Sequence, residues 1–371
     1  MSDLRAAIRP YTAVLIVPTG VGAAIGGYAG DALPVAKAIA QVVDCLITHP
    51  NVLNGAQLYW NLPNALYVEG YGLDQFAAGA WGLAPVHRNR IGLILDQGIE
   101  PDLRVRQLQA AEAARATLGL ELTDYVITDA PLGVELQSAK SGATWGTIAQ
   151  PDSLLRAADY LITQKGAEAI AVVARFPDDL DSPALHHYRQ GQGVDPLAGA
   201  EAVISHLVVR QFQVPCAHAP ALEPLPLDPT ISPRSTAEEI GYTFLPCVLV
   251  GLSRAPQFVS AARATATPRS PFATPTLWAE HVDAVIVPDT AFGGSAVMQF
   301  GQRRSPSAPT PVIIAVQDNS TTMQVPPAAV GITAYHARSY LEAIGMLAAH
   351  RAGLRLDALS AAIAPLQGQQ L

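Results

Sequence analysis

Short continuous apolar runs, most of them closed by proline or an acid, recur along the chain and alternate with longer stretches of helical periodicity. Residues 13–17 end at Pro18, 42–48 at His49-Pro50, 91–95 at Asp96 and 125–128 at Asp129. Residues 169–174 run into Phe176-Pro177-Asp178, 284–287 into Pro288-Asp289, and 311–316 into Gln317-Asp318. Runs apolar at nearly every position are what strands of a parallel sheet covered on both faces require. Between them the spacing predicts helices over 33–41, 101–118, 152–165 and 196–211, and a helical end over 336–364 broken at Gly353. The pattern predicts an α/β protein with a largely parallel, doubly wound, Rossmann-like sheet in two α/β halves with a cleft between them. The halves are placed at residues 1–180 and 181–371, with a single interleaved unit as the alternative.

The interruptions carry the candidate chemistry. After the first run comes Pro18-Thr19-Gly20-Val21-Gly22, with further glycines at 26 and 27, then a helix and a second strand. Strand, glycine-rich turn, helix and strand form a βαβ unit whose first turn is a candidate anion cradle. Gly20-x-Gly22-x-x-x-Gly26 is a relaxed form of the dinucleotide fingerprint, but Thr48-His49 stands where the ribose-binding acid is expected. A tight turn is therefore preferred over a nicotinamide site. Val287-Pro288-Asp289-Thr290 followed by Gly293 and Gly294 echoes this unit, so both turns are expected at one sheet edge, facing one cavity. The polar loop 140–146 adds Ser141 and Thr144. Ligand-holding candidates are thus Thr19, Gly20, Gly22, Ser141, Thr144, Asp289, Thr290, Gly293 and Gly294. Residues 51–88 read as a loop-rich excursion whose acids are Glu69 and Asp74. Ser235-x-x-Glu238 reads as a capping box opening a helix with Glu239 and Tyr242 that meets Pro246, and 262–277 as another loop.

Residues 193–222 gather more reactive side chains than any other stretch. Asp195-Pro196 is a helix start, and Leu197, Ala200, Val203, Ile204, Leu207 and Val208 form one apolar stripe. Glu201 and Ser205 lie about 40° apart on one border of it, while His206 and Arg210 form a second polar column. Glu201 and His206 are roughly 140° apart and do not suit a shared ion. Beyond the helix, prolines bracket an extended piece in which Cys216 and His218 face the same way. Thiol beside imidazole can be nucleophile and base, or two metal ligands. The alternative is a buried cysteine acting as a small hydrophobe beside a structural histidine. Ligands of parallel sheets sit beyond the strands' carboxyl ends, which adds His49 at the end of the second strand. The catalytic candidates are His49, Asp195, Glu201, His206, Cys216 and His218.

Composition narrows the partners. Of 371 residues, half are hydrophobic and 15% charged, so the chain can bury a large core. A net charge of -8 without a basic block argues against nucleic acid. Three scattered cysteines form no disulfide framework and fit a reducing cytoplasm. No apolar run reaches membrane-spanning length, and the start shows no signal-peptide core. These features predict a soluble cytoplasmic protein, open to forming a homo-oligomer. The first functional expectation is an enzyme acting on a small anionic metabolite, bearing phosphate or carboxylate, by acid–base or nucleophilic catalysis in the cleft. A non-catalytic small-molecule sensor comes second and a metal-dependent lyase or hydrolase third. Residue types alone assign no cofactor and no metal site.

The segments IVPTGVGAAIGG, THPNVLNGA, GVDPLAGAEAVISH and PCAHAPA together resemble a family of uncharacterised proteins of cyanobacteria and plastids, with a likeness spanning nearly the whole chain. That resemblance implies kinship and no activity. LLRAADYLITQKGAEAIAVV (154–173) is similar to the helix-to-strand step of aspartate/glutamate racemases. Those enzymes carry a cysteine at the strand's end, where this chain has Ala174-Arg175, so this second likeness implies the fold and not the two-cysteine mechanism.

Overall fold

The computed structural model describes residues 9–54, 61–178, 182–236, 244–264, 275–302, 310–361, 363, 365, 366 and 368. Strand β1 (Thr12–Leu15) leads through the glycine turn to α1 (Leu33–Ala40) and β2 (Cys45–Thr48). A single helical turn, α2 (Pro50–Leu53), precedes β3 (Ala65–Tyr67), α3 (Gly70–Ala77) and β4 (Trp81–Ala84). Then come β5 (Ile91–Leu95), α4 (Pro101–Leu118), β6 (Leu122–Ile127), β7 (Val134–Ser138), β8 (Thr144–Ile148), α5 (Pro151–Lys165) and β9 (Ala169–Arg175). They are followed by α6 (Pro183–Arg189), α7 (Ala198–Phe212), β10 (Cys216–Ala221), α8 (Phe244–Ser253), β11 (Gln257–Ser260) and α9 (Ala261–Ala264). The last portion is β12 (Val282–Pro288), α10 (Ser295–Gly301), β13 (Val312–Val316), β14 (Tyr335–Ala337) and α11 (Tyr340–Arg351).

The fold is α/β, and its two large sheets are parallel throughout. The first has the order β14-β13-β12-β1-β2-β3 and the second β10-β9-β5-β6. The first therefore joins strands from both ends of the chain, while the second is built from the middle. The sheets interleave along the sequence and do not divide it at residue 180. Nearly every position of β1, β5, β9 and β12 is buried, as the continuous apolar runs require. One large apolar cluster holds α1 and α11 residues from the first sheet together with α4 and α8 residues from the second, among them Ile39, Leu347, Leu103 and Leu249. A second cluster packs α3 and α10 on the other face of the first sheet. A third packs α5 and α7 on the other face of the second.

The excursion at 51–88 holds more regular structure than its Gly and Pro breaks suggested. Within it β3 extends the first sheet and α3 covers it, although β3 is only three residues long, too short to show a periodicity. The polar loop after residue 139 is the turn of the antiparallel hairpin β7–β8. Pro246 lies within α8, which runs on past it to Ser253. Glu238, Glu239 and Tyr242 of the expected capped helix lie outside the described residues, as does most of the loop read at 262–277.

Helix α7 approaches the hairpin so closely that its first turn needs glycine. A Cβ at Gly199 would stand 2.2 Å from the Thr144 carbonyl oxygen. Alanine would gain up to about 1 kcal/mol of helix propensity, but backbone overpacking costs about 1–3 kcal/mol or more. Gly199→Ala is therefore expected to lower the unfolding free energy in urea, and an unchanged or higher midpoint would show that the hairpin yields.

Candidate functional site

A cavity of about 190 Å³ opens where the carboxyl ends of the two sheets meet. From the first sheet it takes Thr19 beyond β1, His49, Asn51 and Asn54 beyond β2, and Glu69 beyond β3. From the second it takes Asp178 beyond β9, with His218 and Glu223 on and after β10. Helix α7 contributes Glu201, Ser205 and His206, and α6 with the segment after it contributes Leu185, Tyr188, Arg189 and Asp195. Parallel sheets end in unpaired strand termini on that side, so ligands collect there.

Each polar wall residue has a local reason for its place. Pro50 holds His49 extended, turning it out of the β2 ladder. Its Nε2 accepts the Val17 N–H at 3.0 Å, and burial lowers its pKa to about 4, so the ring is neutral. Glu69, itself buried, is the N-cap of α3, accepting from the Tyr71 and Gly72 amides at 2.7 and 3.1 Å. Asp195 accepts from the Leu197 N–H at 2.8 Å in the turn before α7, but it does not cap the helix as its place before Pro196 suggested, because α7 begins at Ala198 with Leu197 as its N-cap and no side-chain cap.

The two polar columns of α7 are joined by Glu69. One of its oxygens pairs with His206 Nδ1 and lies 3.5 Å from Ser205 Oγ. Ser205 Oγ is 3.3 Å from His218 Nδ1, and His218 Nε2 is 3.7 Å from a Glu201 oxygen. The result is one continuous line along the cavity wall: His206, Glu69, Ser205, His218, Glu201. Burial opposes charge on His206, but the Glu69 carboxylate, helped by Asp74, outweighs it and raises its pKa. Glu201 and His206, on separate polar columns of α7, both belong to this line.

The other predicted residues stand elsewhere. Cys216 is fully buried beneath α7, away from the cavity lining, and burial pushes its thiol pKa well up, which suits a small hydrophobe more than a nucleophile. The two glycine turns do lie at the same sheet edge, since β1 and β12 are parallel neighbours. Only the first reaches the cavity, through Thr19 and Gly27. Gly20 has a positive φ of 69° and its carbonyl accepts from Thr144 N–H at 2.9 Å, while a Cβ there would crowd Thr144 Oγ1. Gly22 abuts Gly193 and Val194. Thr144 Oγ1 donates to the Asp195 carbonyl, and Ser141 is exposed on the hairpin turn. Asp289 pairs with His336, Thr290 with Thr321, Gly293 packs near Met323 and Val325, and Gly294 precedes α10. Among the described residues no three His, Cys, Asp or Glu side chains converge as a metal site.

Wall residues outside the expected set include Ser205, Glu69, Asn51, Asn54 and Tyr188. Ser205 had a signal, a hydroxyl on the border of an apolar stripe. Glu69 had only its place before Gly70, which three-residue β3 did not frame. Tyr188 lines the cavity, its ring stacked on Tyr28 at 4.7 Å and its hydroxyl donating to the Gly27 carbonyl.

The profile of the family described as "Protein of unknown function (DUF3326)" matches residues 12–360, which include the whole site. The chain belongs to this family. An uncharacterised lipoprotein of Synechococcus sp. (strain ATCC 27144 / PCC 6301 / SAUG 1402/1) is 63% identical over 352 residues, 95% of this chain and 94% of that protein. The kinship expected with an uncharacterised cyanobacterial family thus holds. No solved structure matches the chain. No helix among the described residues of this DUF3326 member is long and apolar enough to cross a membrane.

Proposed function

We propose that the chain is an enzyme that performs acid–base chemistry on a small metabolite held in this cavity. The observation that carries this reading is the line from His206 to Glu201, in which five proton-carrying side chains from two sheets and one helix meet along a single wall. Proton-transferring groups must lie within reach of one another and of the reacting atom, and His218 with Glu201 form the end of the line opposite His206. Both are mostly buried but not sealed, with side-chain exposures of 15% and 17%. An anionic group on the metabolite would meet Arg189 and His206, against the carboxylates of Glu69, Asp178, Asp195, Glu201 and Glu223. That balance favours a reacting end without charge. Cys45, Cys216 and Cys247 form no disulfide with one another, which supports a reducing compartment such as the cytoplasm. The lipoprotein name belongs to the Synechococcus relative.

Incubating the purified chain with a metabolite extract, then recording native mass spectra, tests the reading. A metabolite retained and chemically altered is expected, and His218→Ala and Glu201→Gln should each lower its turnover by roughly 10²-fold or more. A metabolite retained unchanged by wild type would select a non-catalytic binding protein. Full turnover in both variants would remove the line from the mechanism.

A further inference from the structure

The turn after β2 presents three side chains to the cavity, each with one end tied down and the other left over. Val17 N–H donates to His49 Nε2, so that nitrogen carries a lone pair and the ring proton sits on Nδ1. Among the described residues nothing accepts from Nδ1, although His49 is only 8% exposed. Asn51 Nδ2 donates to the carbonyls of Val17 (3.1 Å) and Gly26 (2.7 Å), which leaves its Oδ1 as an acceptor. Asn54 Oδ1 accepts from the Tyr67 hydroxyl at 2.7 Å, which leaves its Nδ2 as a donor. All three residues line the cavity. Buried polar groups need partners, and anchoring one end of each side chain fixes what the other end can accept or offer.

The leftover groups are two donors and one acceptor, none of them charged. A phosphate or carboxylate brought against them would lose its hydration without gaining a cation from this turn. A carbonyl oxygen beside a hydroxyl matches them. We propose that residues 49–54 are the recognition turn for an uncharged α-hydroxycarbonyl group. His49 Nδ1–H and Asn54 Nδ2 hold the carbonyl oxygen, and Asn51 Oδ1 accepts from the hydroxyl. This rests on the acid–base reading above, because a carbonyl held by neutral donors acidifies the adjacent C–H. The C–H bond breaks as its proton passes to His218 or Glu201, its electron pair forms the enolate C=C while the carbonyl π pair moves to oxygen, and return of a proton to the same carbon from the opposite face restores the carbonyl and completes an epimerisation without a co-reactant.

The test reads the His49 ring by nitrogen-15 NMR of the full chain labelled at histidine, with its signals assigned by their loss in His49→Gln. The probes are dihydroxyacetone, acetate and inorganic phosphate at millimolar concentration. The expected result is a neutral ring protonated on Nδ1 whose Hδ1 resonance moves with dihydroxyacetone and not with the anions. In His49→Gln the glutamine carbonyl oxygen can take the place of Nε2 and keep Val17 N–H paired while the inward donor is lost. That variant should keep its amide spectrum and bind dihydroxyacetone roughly tenfold more weakly or worse. A proton on Nε2, a resonance unmoved by any probe or moved by the anions, or wild-type binding in His49→Gln would each overturn the proposal. These signals are read without turnover, so a failure of the acid–base line, seen as full activity in His218→Ala and Glu201→Gln, remains distinguishable from a failure of the turn.

Discussion

Glu69→Ala is expected to lower the unfolding free energy by about 3 kcal/mol, with a deficit that depends on pH. The carboxylate satisfies two amides at the start of α3, worth about 1 kcal/mol as a helix cap. It also faces Ser205 and pairs with His206, and removing one member of a buried pair strands the other. The His206 side chain is 42% exposed, so water relieves part of that cost and the total stays at the lower end. The pH dependence follows from the raised pKa of His206. A histidine with a folded pKa above its unfolded value adds stability that is fully present below about pH 6.5 and fades as pH rises through the folded pKa. Urea titrations of wild type and variant should therefore differ more at pH 6 than at pH 9. An equal deficit at both would mean that the pair adds nothing and that Glu69 acts as a cap alone.

Mild acid should destabilise the wild type through His49. Its pKa is lowered to about 4 because a buried ring cannot be charged without loss of solvation, and its Nε2 must keep a lone pair for Val17 N–H. The unfolded chain takes up that proton near pH 6.5, so stability from this group is present above pH 6.5, declines as pH falls and has gone below pH 4. The drop between those values is about 3 kcal/mol. Between pH 6.5 and 4, His49→Gln should lose about that much less than wild type, because glutamine does not titrate. Parallel acid profiles for the two proteins would show that His49 is solvated or already paired when protonated.

The parallel sheets were legible because their central strands are apolar at nearly every position and end in Pro or Asp. The strands 91–95 and 169–175 and the helices 101–118 and 151–165 follow that pattern to within a residue. Elements of three or four residues, such as β3, β4 and β14, span too little chain to declare a period, so the excursion that delivers Glu69 read as loop. The 193–222 stretch did mark one wall of the cavity through Glu201, His206 and His218. Its cysteine was misleading because alternation along a strand tells which residues share a face and not how far along that face a helix covers them. Cys216 and His218 do share a face, yet α7 seals the first and leaves the second at the opening. Which of two glycine turns meets the cavity depends on the second sheet, whose approach no local pattern records.

Because β1 pairs with β12, Thr12 finds its neighbour Val282 only after most of the chain has been synthesised. The strands β5, β6, β9 and β10 are complete much earlier and can zip together while the first sheet still waits for half its members. During that interval β1 is an open edge of four residues, three of them apolar, the kind of surface that recruits other nascent chains. A ribosome stalled before residue 282 would hold such an edge unsatisfied. The exposure of this edge during synthesis therefore follows from where two strands sit along the chain and not from how stable the finished protein is.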